Sequence, residues 1–218
     1  KSLELYRQLD DESGIVNVLL NLSLDYRRNN KADSMLIFLE ELEQRMDEND
    51  PGRYYYFYQN WGSYYMLTED YPRAVQQFES ALKVAREEKM TDSEATCLML
   101  LSEAYQAVGD LTKADALAEE SYNYSEENNL VYESYEALEQ WIKVKEERGE
   151  IKQAYEIQKK WIRVKNEIHD LERIQKVKAI ESQLELAEKE KLIAESEIAL
   201  QKSNLEGQRE KTKNARLI

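Results

Sequence analysis

Ala74, Ala114 and Ala154 stand forty residues apart, and the same interval separates Gly109 from Gly149, Tyr65 from Tyr105, and the members of the series Trp61, Leu101, Trp141. A fixed period of this length constrains the fold more than any single residue. It marks stacked supersecondary units, each unable to bury its apolar face without a neighbour. An array of that kind offers an extended surface for binding, not an enclosed catalytic pocket.

The repeating unit is helical. Six glycines and two prolines in 218 residues leave little turn chemistry for a sheet protein. Leu, Glu, Ala, Lys and Gln dominate the remainder and favour helix. The spacing predicts helices over 53–68 and 71–89, over 92–108 and 111–128, and over 131–148 with a resumption at Ile151. Tight turns fall at Glu69-Asp70, Gly109-Asp110 and Gly149-Glu150. Asp70 is expected to cap the helix that follows it, with Pro72 in the first turn where its missing N–H costs little. A weaker first unit covers 15–29 and 31–47. Residues 1–8 read as the end of an earlier second helix, which implies further units upstream. The chain opens on Lys1 without a signal-peptide pattern, as a processed chain or a fragment would.

Tyr58, Trp61, Gly62 and Tyr65, followed by Ala74, Phe78 and Ala81, follow the pattern large-x2-large-small-x2-aromatic and then Ala-x3-aromatic-x2-Ala. Leu98, Leu101, Ser102 and Tyr105, with Ala114, Ala118 and Ser121, repeat it. Leu138, Trp141 and Ala154 continue it, although Lys145 replaces the aromatic and Trp161 the last small residue. Leu22, Ser23, Tyr26 and Phe38 outline the first unit. This pattern resembles the tetratricopeptide repeat over roughly residues 15–165. The resemblance implies an all-α solenoid of helix pairs whose first helices line a concave groove. By position, the groove would be formed by Leu20 and Leu24, then Tyr56, Gln59, Ser63 and Met66, then Met99 and Glu103, then Glu136, Glu139 and Lys143. Arrays that clamp a C-terminal carboxylate use Lys and Asn on this face. Gln59, Ser63, Met99, Glu103, Glu139 and Lys143 do not reproduce that clamp. The face is apolar and aromatic at one end and acidic at the other, which suits a protein or peptide ligand, such as an amphipathic helix, with a basic end. The alternative for the Tyr54–Tyr58 run is simple packing between repeats.

From Ile151 to about Leu205 there is no proline, and the only glycine beyond Gly149 is Gly207. That predicts one helix on the order of 80 Å long. Val177, Ile180, Leu184, Ala187, Ala194, Ile198 and Leu205 form one stripe near heptad spacing, and Ala179, Leu186, Ile193 and Leu200 form a second. Charged flanks and heptads predict a coiled coil and hence a homodimer. The competing account is a single solvated helix held by Glu–Lys pairs such as Glu185 with Lys189. The domain division expected is 1–165 for the repeats and 166–218 for the long helix.

Little here carries chemistry. There is one histidine, no Gly-rich phosphate loop, no HExxH, CxxC or GxSxG, so no enzyme activity, cofactor or metal is expected. The segment Ile168-His169-Asp170-Leu171-Glu172-Arg173 resembles the phosphoacceptor box of sensor kinases. It lacks the proline that follows there, and a surface histidine on a helix accounts for it equally. A net charge of −14 argues against direct nucleic-acid binding, because phosphate contacts need Lys and Arg. Cys97, the single cysteine, sits in an apolar run and reads as a buried small hydrophobe.

The order of parts, repeats followed by a long charged helix, resembles the sensor regions of bacterial membrane-anchored regulators with histidine kinase, helix-turn-helix or diguanylate cyclase outputs. Arg209, Lys211, Lys213 and Arg216 form a basic patch ahead of Leu217-Ile218, which places a membrane just beyond Ile218. The location expected is then the periplasmic side of a bacterial inner membrane. Basic flanks favour the cytoplasmic side instead. The rival reading is a cytoplasmic tetratricopeptide adaptor that recruits partner proteins.

Overall fold

A computed structural model of the chain describes residues 2–46 and 50–215, with side chains to 194 and at 196 and 197. Among the described residues there are nine α-helices and no strand: α1 (Ser2–Gln8), α2 (Glu12–Arg28), α3 (Ala32–Glu43), α4 (Pro51–Leu67), α5 (Tyr71–Glu87), α6 (Thr91–Val108), α7 (Leu111–Glu127), α8 (Val131–Glu147) and α9 (Ile151–Ala215). The chain divides into two compact units, Lys1–Glu167 and Ile168–Ile218.

In the first unit the helices joined by short turns end in the same way, whereas α3 closes on Gln44 in the right-handed conformation. One residue adopts the left-handed conformation at every interhelical turn between short-looped neighbours: Asp10, Asn30, Glu69, Lys89, Gly109, Asn129 and Gly149. The following N–H then reaches back to a carbonyl five residues earlier, as in Asp70 N to Tyr65 O at 2.8 Å, Asp110 N to Tyr105 O at 2.9 Å and Glu150 N to Lys145 O at 2.9 Å. This closes the carbonyls that a helix end leaves open. Glycine and asparagine adopt this conformation at little cost, whereas Glu69 and Lys89 do so against their side-chain sterics. The next helix is capped from the other side. Asp11, Asp70 and Asp110 each accept from the N–H three residues on, at 2.9, 3.3 and 3.1 Å.

Small residues set how closely the helices approach. A Cβ placed on Gly62 would lie 2.5 Å from the Phe78 ring, so α4 and α5 meet at a distance only glycine permits. Ala74, Ala81, Ala114 and Ala118 are wholly buried at equivalent contacts. Ser102 Oγ donates to Ala114 O at 2.7 Å and Ser121 Oγ to Ala95 O at 2.9 Å, so the buried hydroxyls are satisfied across helix pairs. One apolar cluster joins Ile15, Leu19, Met35, Leu39, Leu42 and Phe57, and another joins Tyr55, Phe78, Leu82, Cys97, Leu98 and Leu101. Burial pushes the Cys97 thiol up to about 12, so it packs as an inert hydrophobe.

First helices of successive pairs touch: α2 with α4, α4 with α6 and α6 with α8. The second helices α5 and α7 stand farther apart, linked by the long side chains of the Arg86–Glu120 ion pair at 2.9 Å without close backbone approach. The array therefore closes on the first-helix side, and that side is the inner face.

The last pair departs from the repeat pattern, and the departures fit together. Lys145, at an aromatic position, is 7% exposed and reaches Asp115 at 2.8 Å and Glu150 at 2.9 Å. Arg148 contacts the same two carboxylates at 2.9 and 2.7 Å, and Trp141 Nε1 donates to Asp115 at 2.8 Å. Burial pulls the Lys145 ammonium down, but hydrogen bonds to Asp115 and Glu150 outweigh it and hold it above its ordinary value. Trp161, at a small-residue position, packs its ring 5.1 Å from that of Tyr135. Ala154, Ile157 and Val164 are buried, which ties the start of α9 into the array.

In the second unit the backbone is helical to Ala215. Val177, Ile180, Leu184 and Ala187 are exposed along it, as are Ala179, Leu186 and Ile193 of the other stripe. The side chains of Ile198, Leu200 and Leu205 lie outside the described residues, and so do those of Arg209, Lys211, Lys213 and Arg216. His169 is exposed. None of the described helices is long and apolar enough to cross a membrane.

Candidate functional site

Two hollows open on the inner face. The first, of about 300 Å³, is bounded by α2, α4, α6 and α8 and brings together Gln59, Met99, Glu103, Glu136, Glu139 and Lys143. These lie far apart in sequence and meet because each occupies a first-helix position turned away from its own second helix. Arg27, Thr96, Leu100 and Gln140 complete the lining.

The acidic end predicted for this face is not purely acidic, because Arg27 reaches into it from α2. Its Nη1 donates to Ser63 Oγ at 3.2 Å, and Ser63 in turn donates to Gln59 O at 2.9 Å. Ser63 is thus buried behind the groove as a support for Arg27. Lys143 sits 3.4 Å from Glu139, one turn away on α8. Burial raises the Glu103 carboxyl above its ordinary range, Lys143 and Arg27 pull it back, and Glu136 and Glu139 add to the rise. Burial likewise raises Glu136, with Glu133 adding to it. Burial lowers the Arg27 guanidinium, an effect that Glu103 opposes. Burial thus penalises charge of either sign here, and the three carboxylates Glu103, Glu136 and Glu139 face the two cations Arg27 and Lys143. Among the described residues no group of acids, His or Cys is arranged to hold a metal ion.

The second hollow, of about 670 Å³, lies between α2 and α4 and holds Leu20, Leu24 and Tyr56 with Asn17, Asn21 and Asn60. Arg53 and Asp50 at its edge are paired at 2.8 Å. Met66 enters neither hollow and packs against the Tyr55–Phe78–Leu98 cluster. The neighbouring aromatic run divides in the same manner: Tyr55 and Phe57 are buried, while Tyr56 is 41% exposed.

Arg27 and Asn60 are not among the groove residues expected from the sequence. Arg27 lies in the last turn of α2 and follows Tyr26 as Met66 follows Tyr65, on a slot the register gives to the inner face. Asn60 precedes Trp61 at a slot that Leu100 fills one period later, so the register alone marks it as core.

Residues 55–127 match the tetratricopeptide repeat family. No curated protein matches the sequence. Among solved structures the chain is similar to aspartyl phosphate phosphatase F from Bacillus subtilis, with a TM-score of 0.66 and 15% identity over 73% of this chain and 44% of that one. It is also similar to a signal transduction ATPase with numerous domains from Pyrococcus horikoshii that carries a tetratricopeptide repeat sensor, with a TM-score of 0.62 and 15% identity over 71% of this chain and 24% of that one. The chain thus spans less than half the length of either protein. At this identity the likeness establishes the fold: a tetratricopeptide-repeat α-solenoid followed by a long C-terminal helix.

Proposed function

We propose that this chain is a non-enzymatic sensing and dimerisation region of a signalling regulator, with the inner face taking a protein or peptide ligand and α9 joining two copies. Tetratricopeptide repeats are protein-interaction scaffolds, and the two hollows supply apolar, carboxamide and acidic surface for a ligand with a basic end. The observation that carries the reading is α9 itself. It begins inside the last helix pair, with Ala154, Ile157 and Val164 buried, and goes on to present Val177, Ile180 and Leu184 to solvent. Apolar side chains at heptad spacing on an exposed helix are stabilised by pairing with a second copy. The Pyrococcus ATPase uses its repeats as a sensor, which is the use proposed here.

Ile180→Asp combined with Leu184→Asp should convert a dimer into a monomer in light scattering, with an unchanged melt for the repeats. A wild-type chain that is monomeric at high concentration, or a double variant that still pairs, removes the dimerisation half of the proposal. Placement in a membrane-anchored regulator, with this region on the periplasmic side, rests on the order of repeats and helix. Reading the gene past Ile218 separates it from a cytoplasmic adaptor.

A further inference from the structure

Tyr65 and Tyr105 hold one repeat position, and a cation covers each ring from the following helix. Tyr65 stacks on Trp61 with ring centroids 5.6 Å apart and carries the Arg73 guanidinium at 4.6 Å. Tyr105 carries the Lys113 ammonium at 4.7 Å. In the last helix pair the positions of Trp61, Tyr65 and Arg73 are taken by Trp141, Lys145 and Gln153. The tryptophan is back, but the ring that stacks on it and the cation that covers that ring are both missing. Lys145 does not replace the ring, because its ammonium is bound by Asp115 and Glu150.

A hollow of about 330 Å³ stands at this place, lined by Trp141, Lys145 and Gln153 together with Lys152, Ile157 and Lys160. It shares no residue with either hollow of the inner face. Its floor is apolar, with Trp141 and Ile157 both buried. Its rim is positive. Lys152 and Lys160 are exposed, and among the described residues neither pairs with a carboxylate. The Lys160 ammonium lies instead 4.8 Å from the ring centroid of Tyr122 and 5.7 Å from that of Trp141. A cation lying over rings keeps N–H donors free for an anion. Glu156, also at the rim, is taken up by Lys159 at 2.7 Å. Residues 151–165 carry five basic side chains and one acidic, in a chain of net charge −14, so this patch attracts an anion that most of the surface repels.

We propose that this hollow binds a small aromatic carboxylate. Its ring packs against Trp141 in the place that Tyr65 takes beside Trp61, and its carboxylate meets Lys160. Lys152, two turns earlier on α9, adds to the positive field. The ring regains a contact that the fold makes for itself in an earlier pair, and the carboxylate accepts a charge-assisted bond. A neutral ring lacks the second contribution and an aliphatic acid the first. A hollow of this volume takes one small ligand. The site goes beyond the protein-binding reading of the inner face and does not depend on it.

The test is isothermal titration calorimetry of the whole chain with indoleacetate. The expected result is saturable binding, about tenfold or more tighter than that of tryptophol, its neutral analogue, or of cyclohexylacetate, its aliphatic one. Lys160→Glu should weaken indoleacetate by a similar factor and bring it level with tryptophol. Lys145→Tyr returns the repeat's own ring to the hollow and should abolish binding, with a thermal melt to show that the variant folds. Where it does not fold, Lys160→Glu decides alone. Absence of saturable binding up to millimolar indoleacetate overturns the proposal, as does binding that survives Lys160→Glu unchanged. If the capped peptide acetyl-Asp-Trp-Asp-amide binds about tenfold tighter than indoleacetate and is lost on Lys160→Glu, the hollow takes an aromatic side chain of an acidic partner, and the small-molecule assignment is overturned.

Discussion

Glu103 sits at the centre of the smaller hollow with its carboxyl held above the ordinary range, chiefly by burial. A raised carboxyl means that the folded chain resists ionising it more than the unfolded chain does. The fold bears no such penalty below about pH 4.5, where both states are protonated, and the penalty grows as pH rises through the folded value. Glu103→Gln should therefore raise the melting temperature at pH 7, with the gain closing as the pH approaches 4. A pH-independent gain would mean that lost packing, not charge, explains the effect. The same residue shows how far the sequence could be read. Glu103 falls on the inner face by repeat position alone, as do Gln59, Met99, Glu139 and Lys143. Asn60 could not be found that way, because its slot reads as core, whereas Arg27 follows Tyr26 as Met66 follows Tyr65, so the register offered its position although it was not singled out.

Between elements, the join of α8 to α9 depends on charges in place of an aromatic contact. Lys145 and Arg148 share Asp115 and Glu150, and Lys145 is almost wholly enclosed. Breaking an enclosed pair typically costs about 3–5 kcal/mol. Because Arg148 and Trp141 remain on Asp115, Lys145→Ala should cost less, about 2 kcal/mol, seen as a fall in melting temperature of roughly 4–8 °C. The join should also loosen in acid. The Glu150 carboxyl is held below its ordinary value, first by the hydrogen bond from Lys145, so its contribution is present above about pH 4.5 and is lost as pH falls through the lowered value. Helix ends here were legible where proline or glycine marks them, as at Pro72, Gly109 and Gly149. The turn at Glu69-Asp70 was legible as well, but not its left-handed backbone, and Lys89 reads in the sequence as the last residue of a helix that ends at Glu87, since neither side chain favours that conformation. There the six-to-one backbone closure and the packing of the flanking helices outweigh local preference.

Over the whole chain, a helix-pair array gains its stability layer by layer, each pair resting on its neighbours. If ligand on the inner face and pairing through α9 are linked, the linkage is reciprocal: ligand changes dimer affinity by the same factor as dimer formation changes ligand affinity. Inserting Gly-Gly after Asn166, at a local helix cost of about 1 kcal/mol per glycine, should leave peptide affinity near wild type. It should also remove the effect of peptide on the monomer–dimer balance in sedimentation. A variant that keeps the full effect would show that α9 does not carry the linkage.

The recurring left-handed turn has a further consequence for how such a chain can change over time. Because successive helices leave and enter their joins with matching backbone geometry, excising or duplicating forty residues between equivalent turns brings together ends that already fit. Array length is thus open to inheritance by simple recombination, with no new joint to invent. What each gain or loss alters is the set of side chains facing inward, so that ligand preference can drift while the scaffold stays as it was.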